Sequence, residues 1–165
     1  LPEAWIDQFK EEYKQYKLVI GGKQRHESSK KGLLACSKKT KNIILHDAAR
    51  PLITQKLINK CIGYLNDFDA VTPFIDINDS LIIMNDVTRY IDRDIIKVIQ
   101  TPQAFNKQIL LDALMNIKKN VSDDMSAILE YDKNTKAKFF KGDRCNFKIT
   151  YDLDLKTFNN IINEK

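Results

Sequence analysis

Asp47 and Arg50 stand three residues apart in the stretch LHDAARPLIT, Leu45 to Thr54, just after the apolar-leaning run Asn42 to Leu45. A carboxylate only accepts hydrogen bonds, and a guanidinium presents a planar fork of donors suited to oxyanions. Placed past the end of a buried strand, with Pro51 stopping the run, the pair suits a small anionic ligand. It also suits a plain ion pair on a strand–helix loop. Two other strand ends share this character. Gly21 and Gly22 follow Lys17 to Ile20, and Lys148 to Thr150 closes a short apolar run from Phe147. Lys148 is the harder one to dismiss as surface charge, because lysine is depleted in strands.

The elements that would hold these groups follow from periodicity. Trp5, Phe9 and Tyr13, spaced by four after Pro2, predict an N-terminal helix with one apolar stripe. A strand over Lys17–Ile20 and a polar helix from Glu27 to Cys36 come next, then a strand from Asn42 to His46. Thr54 suits an N-cap for a helix whose apolar face is Leu57, Ile58, Cys61, Ile62 and Leu65. Asp69–Ile75 reads as a third strand. Ser80–Met84, Thr88–Ile91 and Ile95–Ile99 are too closely spaced for parallel crossovers, so they predict an antiparallel β excursion over 76–99. Helices over Asn106–Lys118 and Asp123–Asp132, strands over Ala137–Lys141 and Phe147–Ile149, and a helix over Asp152–Ile162 complete the chain. Alternating strands and helices predict an α/β fold with a mostly parallel sheet covered on both faces. In such sheets ligands bind beyond the carboxyl ends of strands, where Asp47, Gly22 and Lys148 fall.

Bulk composition narrows the class. With 43% apolar and 30% charged residues, a chain of 165 residues reads as one soluble globular domain. The net charge of +5 is spread along the chain, and no basic run exceeds three residues. It suits a lysine-rich solvated surface or an anionic small ligand better than nucleic acid. No apolar run approaches a membrane span. Three distant cysteines without a CxxC spacing read as reduced thiols rather than a disulfide framework or a metal site.

Six stretches in order resemble the 2-C-methyl-D-erythritol 4-phosphate cytidylyltransferase family. They are GGxxRxxSxxxGL from Gly21, HDAARP from His46, Asp79-Ser80, QTPQxF from Gln100, and the pair DDMSA from Asp123 with NxKxT from Asn146. The resemblance implies a Rossmann-like fold of the nucleotide-diphospho-sugar transferase type, with a β arm for a homodimer. It implies transfer of CMP from CTP to a sugar-alcohol phosphate, with Mg2+ bound mainly through the CTP phosphates. Gly22, Lys23, Ser28, Asp47 and Ala48 would then hold the nucleotide. Asp47, Arg50, Ser80, Thr101 and Ser122 would hold the alcohol phosphate. Lys148, and Arg93 reaching from the partner subunit's arm, would be catalytic. Neither a nucleic-acid nor a membrane partner is implied, and the setting would be a bacterial cytoplasm or a plastid or apicoplast.

The family's glycine-rich triphosphate loop has no counterpart here, so the chain reads as an N-terminally incomplete domain. Ribitol-5-phosphate is the alternative acceptor. Relatives of that kind often read HDAVRP and QTPQSF, and Ala49 and Ala104 lean away from them. A non-catalytic binding module is the alternative outside enzymes. His46 reads more simply as a packed strand-end residue than as a base.

Overall fold

A computed structural model describes residues 1–117 and 121–164. After a 3-10 turn, Glu3–Trp5, come helices α1 (Ile6–Glu12) and α2 (Arg25–Ala35), strand β1 (Asn42–Leu45), helix α3 (Gln55–Tyr64) and strand β2 (Ala70–Asp76). Strands β3 (Leu81–Ile83), β4 (Arg89–Ile91), β5 (Lys97–Ile99) and β6 (Gln103–Asn106) follow. The chain ends with helices α4 (Lys107–Met115) and α5 (Asp124–Tyr131), strand β7 (Ala137–Lys141) and helix α6 (Asp152–Asn163).

The main sheet is organised by β2. On one edge β7 pairs with it in parallel, Ala70 opposite Ala137 through Phe74 opposite Lys141. On the other edge β6 pairs antiparallel with its first residues and β5 with its last. Thus β5 and β6 lie end to end, as one strand broken at Gln100–Pro102. β1 pairs antiparallel with the far edge of β6. Side chains alternate across the sheet, as strand geometry requires. Ile43, Ala70 and Phe105 join Leu33, Leu110 and Ile128 of α2, α4 and α5 on one face. Val71 and Ala104 join Leu57 and Cys61 of α3, with Phe140, on the other. Burial pushes the Cys61 thiol up to about 11, and all three cysteines are free.

The α/β class with helices on both faces holds, and several predicted elements change. β1, β2 and β7 point the same way, but β6, a strand that the periodicity does not predict, lies between β1 and β2. Three of the four pairings in the main sheet are therefore antiparallel. β5 joins this sheet rather than the excursion, so the arm proper is the two-stranded β3–β4 ladder. No strand forms at 17–20, where Val19 and Gly21 bond to Leu1 instead. Residues 147–149 make no ladder either; their backbone is tied to the loop after β1 by Ile149 N–H, which donates to the Ala49 carbonyl at 2.8 Å. Thr54 caps α3 as expected, its side chain accepting from Leu57 N–H. α4 ends at Met115, and the predicted extension to Lys118 reaches outside the described residues.

Two features hold the strand ends beside the break. Asp76 on β2 accepts from Lys97 of β5 at 2.8 Å and pairs with Lys141 of β7 at 3.0 Å, spanning three strands. Those bonds, Lys97 foremost, hold its carboxyl down at about 2. Past β7, Gly142 donates to the Phe74 carbonyl at 2.8 Å. A Cβ there would lie 2.4 Å from Gln100 Oε1 and 3.1 Å from Pro73 Cβ. Gly142→Ala should therefore destabilise the domain by about 1–3 kcal/mol through overpacking, read as a lower urea midpoint. An unchanged midpoint would show that Gln100 moves aside freely.

Candidate active site

The chain turns sharply after β1. Arg50 N–H donates to the Asp47 carbonyl at 2.9 Å, which sets the two side chains on one side of the turn. Arg50 Nε then lies 3.5 Å from Asp47 Oδ2, and Lys148 Nζ lies 3.3 Å from the same oxygen. Two cations thus share one carboxylate and leave a net positive charge at the mouth of a cleft of about 430 Å³. Arg50 is nearly buried, and its Nη1 donates to the Asn146 carbonyl at 2.9 Å. Lys148 is half exposed, free to swing toward a ligand.

Thr101 enters the cleft because the β5–β6 strand breaks there, with a cis Thr101–Pro102 peptide. Its hydroxyl accepts from Asp47 N–H at 3.0 Å and meets His46 Nδ1 at 3.1 Å. His46 Nε2 reaches the Arg50 carbonyl at 2.9 Å. Asn146, buried, donates to the Thr101 carbonyl at 2.7 Å. Gln100, also buried, brackets the loop before Lys148 by donating to the carbonyls of Asp143 at 2.8 Å and Asn146 at 3.2 Å. The last bond replaces the strand predicted at 147–149 as the means of placing Lys148.

Asp47, Arg50, Thr101, Ser122 and Lys148 line this one cleft, as the motif reading expects. Ser122 Oγ sits 3.3 Å from Ser126 Oγ, next to Asp123, which caps α5. Gly22, Lys23 and Ser28 line a separate cavity of about 790 Å³ beside Leu1 and Lys31. Here Gly22 has a local reason to be glycine. A Cβ on it would meet the Glu27 side chain at 2.2 Å, and Glu27 accepts from Lys23 and Gln24 N–H in a capping box at the start of α2. Ser28 Oγ accepts from Gly22 N–H at 3.0 Å. Ala48 is exposed on the loop after β1. Ser80 is exposed before β3, and Arg93 lies at the arm's root, donating to the Asn78 carbonyl. Neither lines the cleft of its own chain.

Five polar residues that the motif reading left without a role also line the cleft: Gln100, described above, and Arg25, Gln103, Asp123 and Ser126. Arg25 follows the glycine pair by three residues, and Asp124 begins the DMSA run, but nothing in one sequence joins them. In space Arg25 Nη1 lies 2.7 Å from Asp124 Oδ2, tying α2 to α5. Asp124 is 1% exposed, and neither of its oxygens receives a well-aligned hydrogen bond. Gln103 joins the same wall, donating to Asp123 Oδ2 at 2.6 Å. The burial asymmetry fixes a stability test. Arg25→Met strands a buried carboxylate and should cost about 3 kcal/mol. Asp124→Asn leaves an arginine that reaches solvent and should cost about 1 kcal/mol or less. Equal losses in chemical denaturation would refute this ordering.

The comparisons with known proteins agree with the geometry. The family model for IspD, 2-C-methyl-D-erythritol 4-phosphate cytidylyltransferase, matches residues 4–164. The chain is 40% identical over 152 residues to the bifunctional enzyme IspD/IspF of Pelagibacter ubique (strain HTCC1062), covering 90% of this chain and 40% of that protein. It is 37% identical over 145 residues to the 2-C-methyl-D-erythritol 4-phosphate cytidylyltransferase of Clostridium botulinum (strain Loch Maree / Type A3), covering 84% of this chain and 62% of that enzyme. The chain therefore spans less than two thirds of the length of these two relatives. The crystal structure of the 4-diphosphocytidyl-2C-methyl-D-erythritol synthase from Anaerococcus prevotii DSM 20548 superposes with a TM-score of 0.88 at 27% identity, over 98% of this chain and 75% of that one. A single cleft carrying HDAARP, the QTP break and NxKxT, together with a family match over nearly the whole chain, establishes that this chain belongs to the 2-C-methyl-D-erythritol 4-phosphate cytidylyltransferase family.

Proposed function

We propose that the protein carrying this chain transfers CMP from CTP to 2-C-methyl-D-erythritol 4-phosphate, giving 4-diphosphocytidyl-2-C-methyl-D-erythritol and pyrophosphate. The observation that carries this reading is the shared carboxylate, with Asp47 held between Arg50 and Lys148 at 3.5 and 3.3 Å. An acceptor phosphate oxygen attacks the α-phosphorus of CTP, and pyrophosphate leaves. Two polyanions must meet, so cations that bind more strongly as charge builds on phosphorus lower the barrier. No general base is required, because a phosphate monoester is already ionised near pH 7. Lys148 is placed to leave Asp47 for the phosphates, while Asp47 takes up an alcohol hydroxyl. Ser122 offers a further hydroxyl at the rim.

Gly22, Lys23 and Ser28 would hold the cytosine from the neighbouring cavity, with backbone groups of the loop near Ala48 closing the base side. Magnesium would neutralise triphosphate oxygens when bound. The cleft suits an ion carried on the nucleotide, since Asp47 Oδ2 is taken by two cations and Asp123 by Gln103 and its own helix cap. The relatives named above are bacterial, which supports a bacterial rather than a plastid setting.

The arm supports a homodimer. Ile82, Met84, Val87, Tyr90 and Ile95 stand exposed on and around a two-stranded ladder that nothing else covers among the described residues. Two-fold pairing would cover such an edge and could carry Ser80 and Arg93 to the partner's cleft.

Pyrophosphate release by the full gene product, assayed with CTP and each alcohol phosphate, tests the reaction. Turnover with methylerythritol phosphate is expected, and turnover with ribitol phosphate alone would reject the acceptor assigned here. Lys148→Ala should lower kcat/KM roughly 10- to 100-fold, the worth of one charge-assisted contact. Mixing Arg93→Ala with Lys148→Ala subunits should recover part of the activity. No recovery in mixed dimers would contradict a site shared between subunits.

A further inference from the structure

We infer that His46 sets the hydrogen-bond polarity of Thr101, so that Thr101 offers the cleft an acceptor and takes a hydroxyl of the alcohol rather than a phosphate. This rests on the proposed reaction for the identity of the ligand, but not for the polarity itself.

The chain of donors runs one way. The Arg50 carbonyl can only accept, so the His46 Nε2 that lies 2.9 Å from it carries the proton. In the neutral ring Nδ1 is then a bare lone pair, and it faces Thr101 Oγ1 at 3.1 Å. The Thr101 hydroxyl must supply that proton. The same oxygen already accepts from Asp47 N–H at 3.0 Å. A hydroxyl has one proton and two lone pairs. With the proton given to His46 and one lone pair to Asp47, a single lone pair remains. Thr101 is 5% exposed in the wall of the cleft, so it has little freedom to rotate away from these partners.

A phosphate near pH 7 presents mainly acceptor oxygens, and two acceptors do not bond. A substrate hydroxyl does fit that lone pair. The phosphates are left to Arg50 and Lys148, which are pure donors. His46 is therefore a positioning residue. Its imidazole does not line the cleft, and it acts through Thr101 while bracing the Arg50 backbone.

Two measurements test this on the full gene product. The first needs no substrate. Imidazole nitrogen-15 correlation spectra at pH 8 should show His46 protonated at Nε2 with an unprotonated Nδ1. An Nδ1–H tautomer or an imidazolium would overturn the inference, whatever the enzyme proves to do. The second uses acceptor analogues that each lack one hydroxyl. One deletion should weaken binding roughly fivefold, the worth of one neutral hydrogen bond, and should cause no further loss in Thr101→Val. Losses of the same size in both proteins for every analogue would overturn it. His46→Phe should raise KM for the acceptor roughly fivefold with kcat within about twofold, and His46→Asn, whose Oδ1 can replace Nδ1, should restore KM. A His46→Asn protein as impaired as His46→Phe would also count against it. Failure of the proposed reaction is distinct, because it shows as absent pyrophosphate release while the imidazole spectrum still decides the polarity.

Discussion

The break between β5 and β6 is the constraint on which the cleft depends. β2 needs an antiparallel partner along its whole length, and β5 and β6 supply it end to end. Their register differs by two residues, so the chain must bulge at Thr101 and Pro102. Such a bulge would expose unpaired backbone inside the sheet unless other groups satisfied it. Gln100 N–H bonds to the Pro73 carbonyl, and its own carbonyl accepts from Thr72 Oγ1. Asn146 takes the Thr101 carbonyl. The groups that satisfy the break are thus the ones that anchor the C-terminal loop.

That loop is where the charge comes from. Gln100 and Asn146 hold residues 143–146 in place, the Asn146 carbonyl fixes Arg50, and Lys148 follows two residues later. Arg50 and Lys148 come from sites 98 residues apart in the chain, yet they share Asp47. The Lys148 pair is half solvated and worth little by itself, whereas the Arg50 pair lies mostly out of water. Their value is the surplus positive charge, positioned before any anion arrives.

The opposite wall of the cleft obeys a different logic. Asp124 is buried against one arginine that is itself partly in water. This is a poor way to gain stability. It does fix α2, which begins just past the glycine pair, against α5, which carries Asp123 and Ser126 into the cleft. The cavity around Gly22 and the cleft around Asp47 are separate spaces, and the Arg25–Asp124 pair ties the helix that follows the first to a wall of the second.

Much of this was legible in one sequence because periodicity and local chemistry are short-range. The helical stripe Leu57, Cys61, Leu65 after Thr54, the strand at Ala137–Lys141 and the paired arm strands follow from spacing alone. HDAARP, QTPQxF and NxKxT identified the residues that meet in the cleft. What the sequence did not show depends on contacts between distant segments. Gln103–Asn106 is too short and too polar at its first residue to read as a strand, and it forms one because β1 and β2 both offer it an edge. Residues 17–20 have a strand's composition but find no sheet partner in the described chain. Lys148 is placed not by a strand but by Gln100 and Asn146, and Arg25 meets Asp124 across 99 residues. Residue type determined which groups could bind phosphates and hydroxyls. Tertiary structure decided which of them share one carboxylate, because side-chain electrostatics act over a few ångströms of space and carry no memory of distance along the chain.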